Sequence, residues 1–261
     1  MIDPDIHELL NLARSAVRFT ATHPAISRLR GDKSRYRYEL SGREVKLELD
    51  AVLSDALTTK LAPSRIQVIS EEDSTTHEIK DEYVWLIDPL DGSLNWLRDC
   101  GPSAVSCALM RLNEPVFGVI QQLNSPSLFW GGESLGAFVD DSPIAVSTVS
   151  SLSDAVVCTG IPARLNTSDE GALAPILSLL TRAQKVRMIG SAASSLILVA
   201  RGSVDLYSEQ SVMPWDVAAG LAIVAGAGGR WIGNDFSRSN PVTVVSGAQA
   251  LVNACIRDLK L

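Results

Sequence analysis

Asp88 and Asp91 stand three positions apart at the end of an apolar run, Val84-Trp85-Leu86-Ile87, with Pro89 between them and Gly92-Ser93 just after. Proline fixes its own φ, glycine lets the backbone approach closely, and a serine hydroxyl can cap a following helix. These residues predict a rigid turn that aims the Asp88 carboxylate, the Leu90 carbonyl and the Asp91 carboxylate at one point. Unpaired N–H groups lie beyond them. Hard divalent cations such as Mg²⁺ take oxygen ligands of this kind and bring substrate phosphate with them.

Further acids lie on separate segments. Glu71 and Glu72 follow Ile69-Ser70, where a strand emerges into a loop. Asp216 follows Pro214 at a helix start, where an acid is either a cap that complements the helix dipole or a ligand. The small residues after it (Ala218, Ala219, Gly220, Ala222, Ala225, Gly226, Ala227) allow the tight packing that ligand placement needs. Asp50, within an amphipathic stretch at 46–61, is either a solvated acid or one turned inward. Gly190-Ser191-Ala192-Ala193 opens another helix, whose N–H groups and hydroxyl suit an anion or a sugar hydroxyl.

The composition narrows the chemistry. The chain has 261 residues, enough for one or two domains, and a net charge of −7 with no broad basic face, which argues against nucleic acid as a partner. Its four cysteines (Cys100, Cys107, Cys158, Cys255) show no CxxC spacing, as expected of thiols in a reducing compartment. The three histidines (His7, His23, His77) are not spaced as metal ligands, so carboxylate-held metal is favoured over imidazole chemistry. No basic-then-apolar leader and no membrane-length apolar run is present, so a soluble, cytoplasmic protein is expected.

The elements that must position these groups follow from periodicity. Helices are predicted over 5–21 and 46–61. Between them, 22–44 is polar, basic and without a clear period, either a solvated loop or a lid that brings positive charge to an anion. Strands are predicted at 66–69 and 83–87, then as an antiparallel series at 103–112, 116–122, 127–131 and 136–139. From about 150, strands (155–158, 186–189, 204–208, 242–245) alternate with helices (170–183, 191–201, 214–227, 247–258). This predicts a mostly antiparallel N-terminal sheet with helices over 1–146 and a second, helix-flanked sheet over 147–261, the site lying at their seam.

In this order, Glu71-Glu72, the Asp88-to-Ser93 turn, Gly190-Ser191-Ala192-Ala193 and Trp215-Asp216-x-Ala218-Ala219-Gly220 resemble the motifs of the inositol monophosphatase family. That family belongs to the lithium-sensitive, magnesium-dependent phosphatases, with fructose-1,6-bisphosphatases and bisphosphate nucleotidases as relatives. Gly131 to Phe138 is similar to the family's Gly-x-Gly-Ala hairpin. The resemblance implies a layered αβαβα sandwich of the sugar-phosphatase type, a homodimer, and a small phosphorylated substrate. It implies that Glu71, Asp88 and the Leu90 carbonyl hold one Mg²⁺, and that Asp88, Asp91 and Asp216 hold a second. Glu72 would serve in the outer shell or at a weaker third ion. Gly92 and Ser93 would grip phosphate, Ser93 and Asp50 would take up the proton of the attacking water, and Glu209 would contact polyol hydroxyls. Ser70 stands where the family usually has glycine, and Leu47 where a threonine is common.

Three activities compete on this reading: an inositol-phosphate-type monoesterase, a 3′,5′-bisphosphate nucleotidase and a fructose-1,6-bisphosphatase. Leu94-Asn95-Trp96 and Ser194-Ser195-Leu196 are closer to the first, since nucleotidases usually carry lysine near these points. A divergent binding or regulatory protein is the non-enzymatic alternative.

Overall fold

The computed structural model describes residues 4–30, 38–41, 44–73, 82–123, 125–161, 173–234, 236 and 241–259. Its larger sheet has seven strands: β3 (Gln67–Ser70), β4 (Tyr83–Asp91), β5 (Ala104–Arg111), β6 (Glu114–Gln122), β7 (Leu128–Gly132), β8 (Gly136–Val139) and β9 (Ser142–Pro143), ordered as in the chain. The β3–β4 pair is parallel and the others are antiparallel. The preceding β1 (Tyr38–Ser41) and β2 (Glu44–Leu47) form a separate antiparallel pair.

Alternation on β4 explains how this sheet is covered. Trp85 and Ile87 face one side, Val84 and Leu86 the other, and all four are buried, so apolar layers must lie on both faces. On the first face lie α1 (Ile6–Ala21) and α3 (Glu48–Leu61). Leu10, Ala13 and Val17 of α1 and Leu57 of α3 pack with Trp85, Val105, Leu109 and Phe117. Asp5 starts α1 by accepting the N–H groups of His7 and Glu8 at 2.8 and 3.3 Å.

On the second face lie α6 (Ala192–Ala200) and α7 (Pro214–Gly226), apolar nearly all round because they are covered on both sides. Their other side meets a five-stranded sheet of β10 (Val156–Cys158), β11 (Lys185–Arg187), β12 (Leu206–Val212), β13 (Arg230–Gly233) and β14 (Val242–Gly247), in the order β11-β10-β12-β14-β13. The outer face of that sheet is closed by α5 (Ala174–Arg182) and α8 (Gln249–Leu259), through Leu179, Leu251, Val252 and Cys255. The layers thus run helix, sheet, helix, sheet, helix, as expected.

Small residues set the close approach of α7. A Cβ at Gly118 on β6 would lie 2.1 Å from the Ala219 carbonyl oxygen, and one at Gly220 would lie 2.4 Å from Leu196 Cβ on α6. Only glycine fits at either contact.

Three expectations are corrected. Part of the 22–44 segment is ordered structure: α2 (Pro24–Leu29) buries Ala25, Ile26 and Leu29 against Leu47, Leu53, Leu90 and Trp96, and β1 and β2 pair. The basic residues mask this short apolar stripe. Of that segment, 31–37 and 42–43 lie outside the described residues, as does His77. The strand expected at 204–208 runs to Val212 across an irregularity in its pairing with β14. The edge strand β13, with alternate residues exposed, was not predicted at all. Cys107, Cys158 and Cys255 are buried, while Cys100 is exposed.

Candidate active site

Strand ends converge where the two sheets face each other across α6 and α7. Glu71 follows β3, and its N–H donates to the Ile87 carbonyl at 3.2 Å, which fixes the Glu71-Glu72 turn beside β4. Asp88 and Asp91 flank a register shift between β4 and β5, and Leu90 N–H donates to Asp88 Oδ1 at 2.9 Å. Asp216 is three residues into α7, its carboxylate accepting the Met213 N–H at 3.2 Å. That bond makes it a cap, and its carboxylate also faces the other acids. One carboxylate oxygen each from Glu71, Asp88 and Asp216 lies within 4.8 Å of the other two.

Asp91 is buried and turned toward α6. Its Oδ2 accepts the Ser191 hydroxyl and the Ala193 N–H, the latter at 2.8 Å, while Ser191 Oγ accepts the Ser194 N–H at 3.1 Å. The anion that meets the α6 N-terminus is therefore Asp91 itself. The Ser191 hydroxyl, read as available to substrate, is committed to this bond and to capping.

The turn residues are constrained as their types require. Gly92 has φ +81°, and a Cβ there would come within 2.9 Å of the Pro102 carbonyl oxygen. Gly92 also occupies the cap position of α4 (Ser93–Arg98), so Ser93 is the first helical residue and not its cap. The Ser93 hydroxyl lies 2.9 Å from the Leu90 carbonyl oxygen and 3.2 Å from Asp50 Oδ1, one proton serving two acceptors. Asp50 is buried, which excludes the solvated reading, and it also accepts the Leu47 N–H.

These groups line a cavity of about 630 Å³, together with Leu94, Ile161, Met188, Gly190, Ala192, Glu209 and Trp215. Among its described lining residues five are acidic (Glu71, Asp88, Asp91, Glu209, Asp216) and none is Lys, Arg or His. Glu72 and Asp50 stand outside the lining; Glu72 donates its N–H to Ser70 Oγ at 3.3 Å.

Charge crowding shows in the acidities. Burial, then the charges of Glu71, Asp91 and Asp216, hold the Asp88 carboxyl well above the ordinary range. Burial, Glu71 and Asp91 do the same to Asp216. Burial lifts Asp91 to about 6 against the opposing bonds from Ser191 and the start of α6, and lifts Glu209 to about 7. An all-oxygen donor set with surplus negative charge and no basic side chain fits hard divalent cations.

Sequence reasoning missed Asn95, whose Nδ2 lies 2.9, 2.8 and 3.2 Å from the carbonyl oxygens of Pro102, Ile189 and Gly190. It ties the Asp88-to-Ser93 turn to the loop before α6, an approach between residues about ninety-five positions apart that no local pattern reveals. Tyr207 and Gly160, which pack against Glu209, were missed for the same reason.

The profile of the Inositol monophosphatase family matches residues 5–253. The chain belongs to that family. Among relatives, it is 39% identical over 164 residues to an inositol-1-monophosphatase of Synechocystis sp., covering 62% of this chain and 56% of that protein. It is 28% identical over 241 residues to an inositol-1-monophosphatase of Mesorhizobium japonicum, covering 90% and 91%. The matched stretches span 56%, 64% and 53% of the Synechocystis, Aquifex aeolicus and Xylella fastidiosa relatives' own lengths. Among solved structures, the SuhB protein of Bartonella henselae superposes with a TM-score of 0.85 at 26% identity, covering 97% of this chain and 98% of that one. The inositol monophosphatase of Anabaena does so at 0.82 and 26%, covering 98% and 97%. No helix among the described residues is long and apolar enough to cross a membrane.

Proposed function

We propose that this chain is a Mg²⁺-dependent phosphate monoester hydrolase acting on a small polyol phosphate of the inositol monophosphate type. The observation that carries the reading is the convergence of Glu71, Asp88 and Asp216 within 4.8 Å in a cavity whose described lining has no basic side chain. Five crowded carboxylates disfavour the phosphate of a substrate unless cations intervene. Glu71, Asp88, the Leu90 carbonyl, Asp91 and Asp216 would hold two to three Mg²⁺ ions, which when bound would offset that charge, acidify a water and stabilise the charge of an in-line displacement.

The chain's own groups do the rest. Asp50 holds the Ser93 hydroxyl beside the Leu90 carbonyl, so a proton leaving the attacking water passes to Ser93 and on to Asp50. Gly92 and Ser93, at the start of α4, present backbone N–H groups to the phosphoryl oxygens. Asp91 anchors the turn to α6 through Oδ2 and would complete the donor set beside Asp88. Glu209 accepts hydrogen bonds from hydroxyls of the polyol. Glu72, outside the lining, acts through the Glu71 turn or a third ion.

Phosphate release from inositol 1-phosphate, fructose 1,6-bisphosphate and adenosine 3′,5′-bisphosphate at millimolar Mg²⁺ tests this directly. The reading expects the first to be preferred, and activity to vanish with chelator. Activity on fructose 1,6-bisphosphate is the second reading, favoured by the Aquifex aeolicus relative (35% identical over 172 residues), whose name joins fructose-1,6-bisphosphatase to inositol-1-monophosphatase. Other relatives carry the name Nus factor SuhB. Inactivity on every ester of the panel would overturn the hydrolase reading and leave a binding role.

A further inference from the structure

Glu209 lines the cavity without belonging to the close group of Glu71, Asp88 and Asp216. Its carboxylate is fixed from two sides. Tyr207 lies two residues earlier on β12, hence on the same face, and is fully buried; its hydroxyl donates to Glu209 Oε2 at 2.8 Å. Gly160 follows β10, the parallel neighbour that pairs Cys158 with Tyr207. A Cβ at Gly160 would lie 2.3 Å from Glu209 Oε1 and 2.5 Å from both Cδ and Oε2. The carboxylate occupies the space that any side chain at position 160 would fill.

Among the described residues Oε1 accepts no hydrogen bond, so a carboxylate with fixed direction and spare acceptor capacity remains in the cavity wall. Such a group recognises hydroxyls, and a site built to accept a substrate hydroxyl discriminates against an analogue that lacks it.

We propose that Tyr207 and Gly160 are positioning residues that set alcohol specificity, by aiming the Glu209 carboxylate at hydroxyls neighbouring the esterified one. This rests on the polyol-phosphate reading of the site. Tyr207 supplies the direction and Gly160 supplies the room.

The test compares inositol 1-phosphate with p-nitrophenyl phosphate, whose leaving group has no further hydroxyl, in the full chain with Mg²⁺. Gly160 has no positive φ, and the atoms an added Cβ meets belong to the far end of a flexible side chain, so Gly160→Ala moves the carboxylate without breaking the backbone. Tyr207→Phe removes only the donor. In each variant the ratio of kcat/KM for inositol 1-phosphate to that for p-nitrophenyl phosphate is expected to fall about tenfold, mainly through KM, as for loss of one charge-assisted hydrogen bond. A purely structural role would lower both esters in parallel and leave the ratio unmoved. That result in both variants, or a ratio within about twofold of wild type, overturns the inference while the hydrolase reading stands. A wild-type chain that releases phosphate from neither ester refutes the hydrolase reading and the inference with it.

Discussion

The Asp91 carboxylate accepts a hydrogen bond from the Ser191 hydroxyl across 100 positions of sequence. Through this bond the turn on β4 is fastened to the first turn of α6, and the direction of the Asp91 carboxylate depends on Ser191. Ser191→Ala leaves Asp91 buried with one donor fewer. A stability loss of about 1–3 kcal/mol is expected by thermal or chemical denaturation, with a higher Mg²⁺ concentration for half-maximal activity. Unchanged Mg²⁺ dependence would show that Asp91 needs no such anchor.

Asp50 and Asp88 have different work to do, and their amide variants should separate. Asp50→Asn removes the acceptor behind Ser93 and should cost about 10²- to 10⁴-fold in kcat, the range of general-base assistance. Asp88→Asn removes the carboxylate that faces both Glu71 and Asp216 and, on the proposed metal-dependent mechanism, should abolish measurable turnover and Mg²⁺ binding by calorimetry. Equal defects in the two variants would contradict the division of labour.

Metal-free stability should fall as pH rises. Asp91 ionises near 6 and Glu209 near 7 in the folded chain, above about 4 in the unfolded chain, so the folded state binds their protons more tightly. The stabilisation is complete below about pH 4 and is lost as pH climbs through 6 to 7, where buried carboxylates must be held ionised side by side. Mg²⁺ should flatten or reverse the slope. Melting curves with chelator and with millimolar Mg²⁺ between pH 5 and 8 measure both.

Gly118→Ala should destabilise by about 1–3 kcal/mol or prevent folding, because the new Cβ would meet the Ala219 backbone, which cannot rotate away. Gly220→Ala should also destabilise, since its Cβ would lie 2.4 Å from Leu196 Cβ, an atom that rotation of the leucine side chain does not move away. Denaturant midpoints of the pair would reveal how rigidly α7 is seated.

Much of this was readable from residue types. The Val84-to-Ile87 run predicted a buried strand, Pro89 and Gly92 a rigid turn, and the Ala/Gly run after Asp216 a tightly packed helix, because each is a local preference written in consecutive residues. Positions set by distant partners were not. Asp50 is an ordinary helical acid until Ser93 is placed against it. Ser191 reads as an open anion site until Asp91 fills it, and α2 hides its three-residue apolar stripe among arginines. The mutual direction of Tyr207, Gly160 and Glu209 exists only once β10 and β12 pair.

The seating of α7 also bears on how the protein is made. Residues 214–226 cover strands made more than seventy residues earlier, so the faces of β5, β6 and β7 that await α7 have no cover from it until it is made. With long-range contacts deciding its core, the chain should bury these faces only after α7 has emerged, which leaves sticky nascent strands exposed in the meantime.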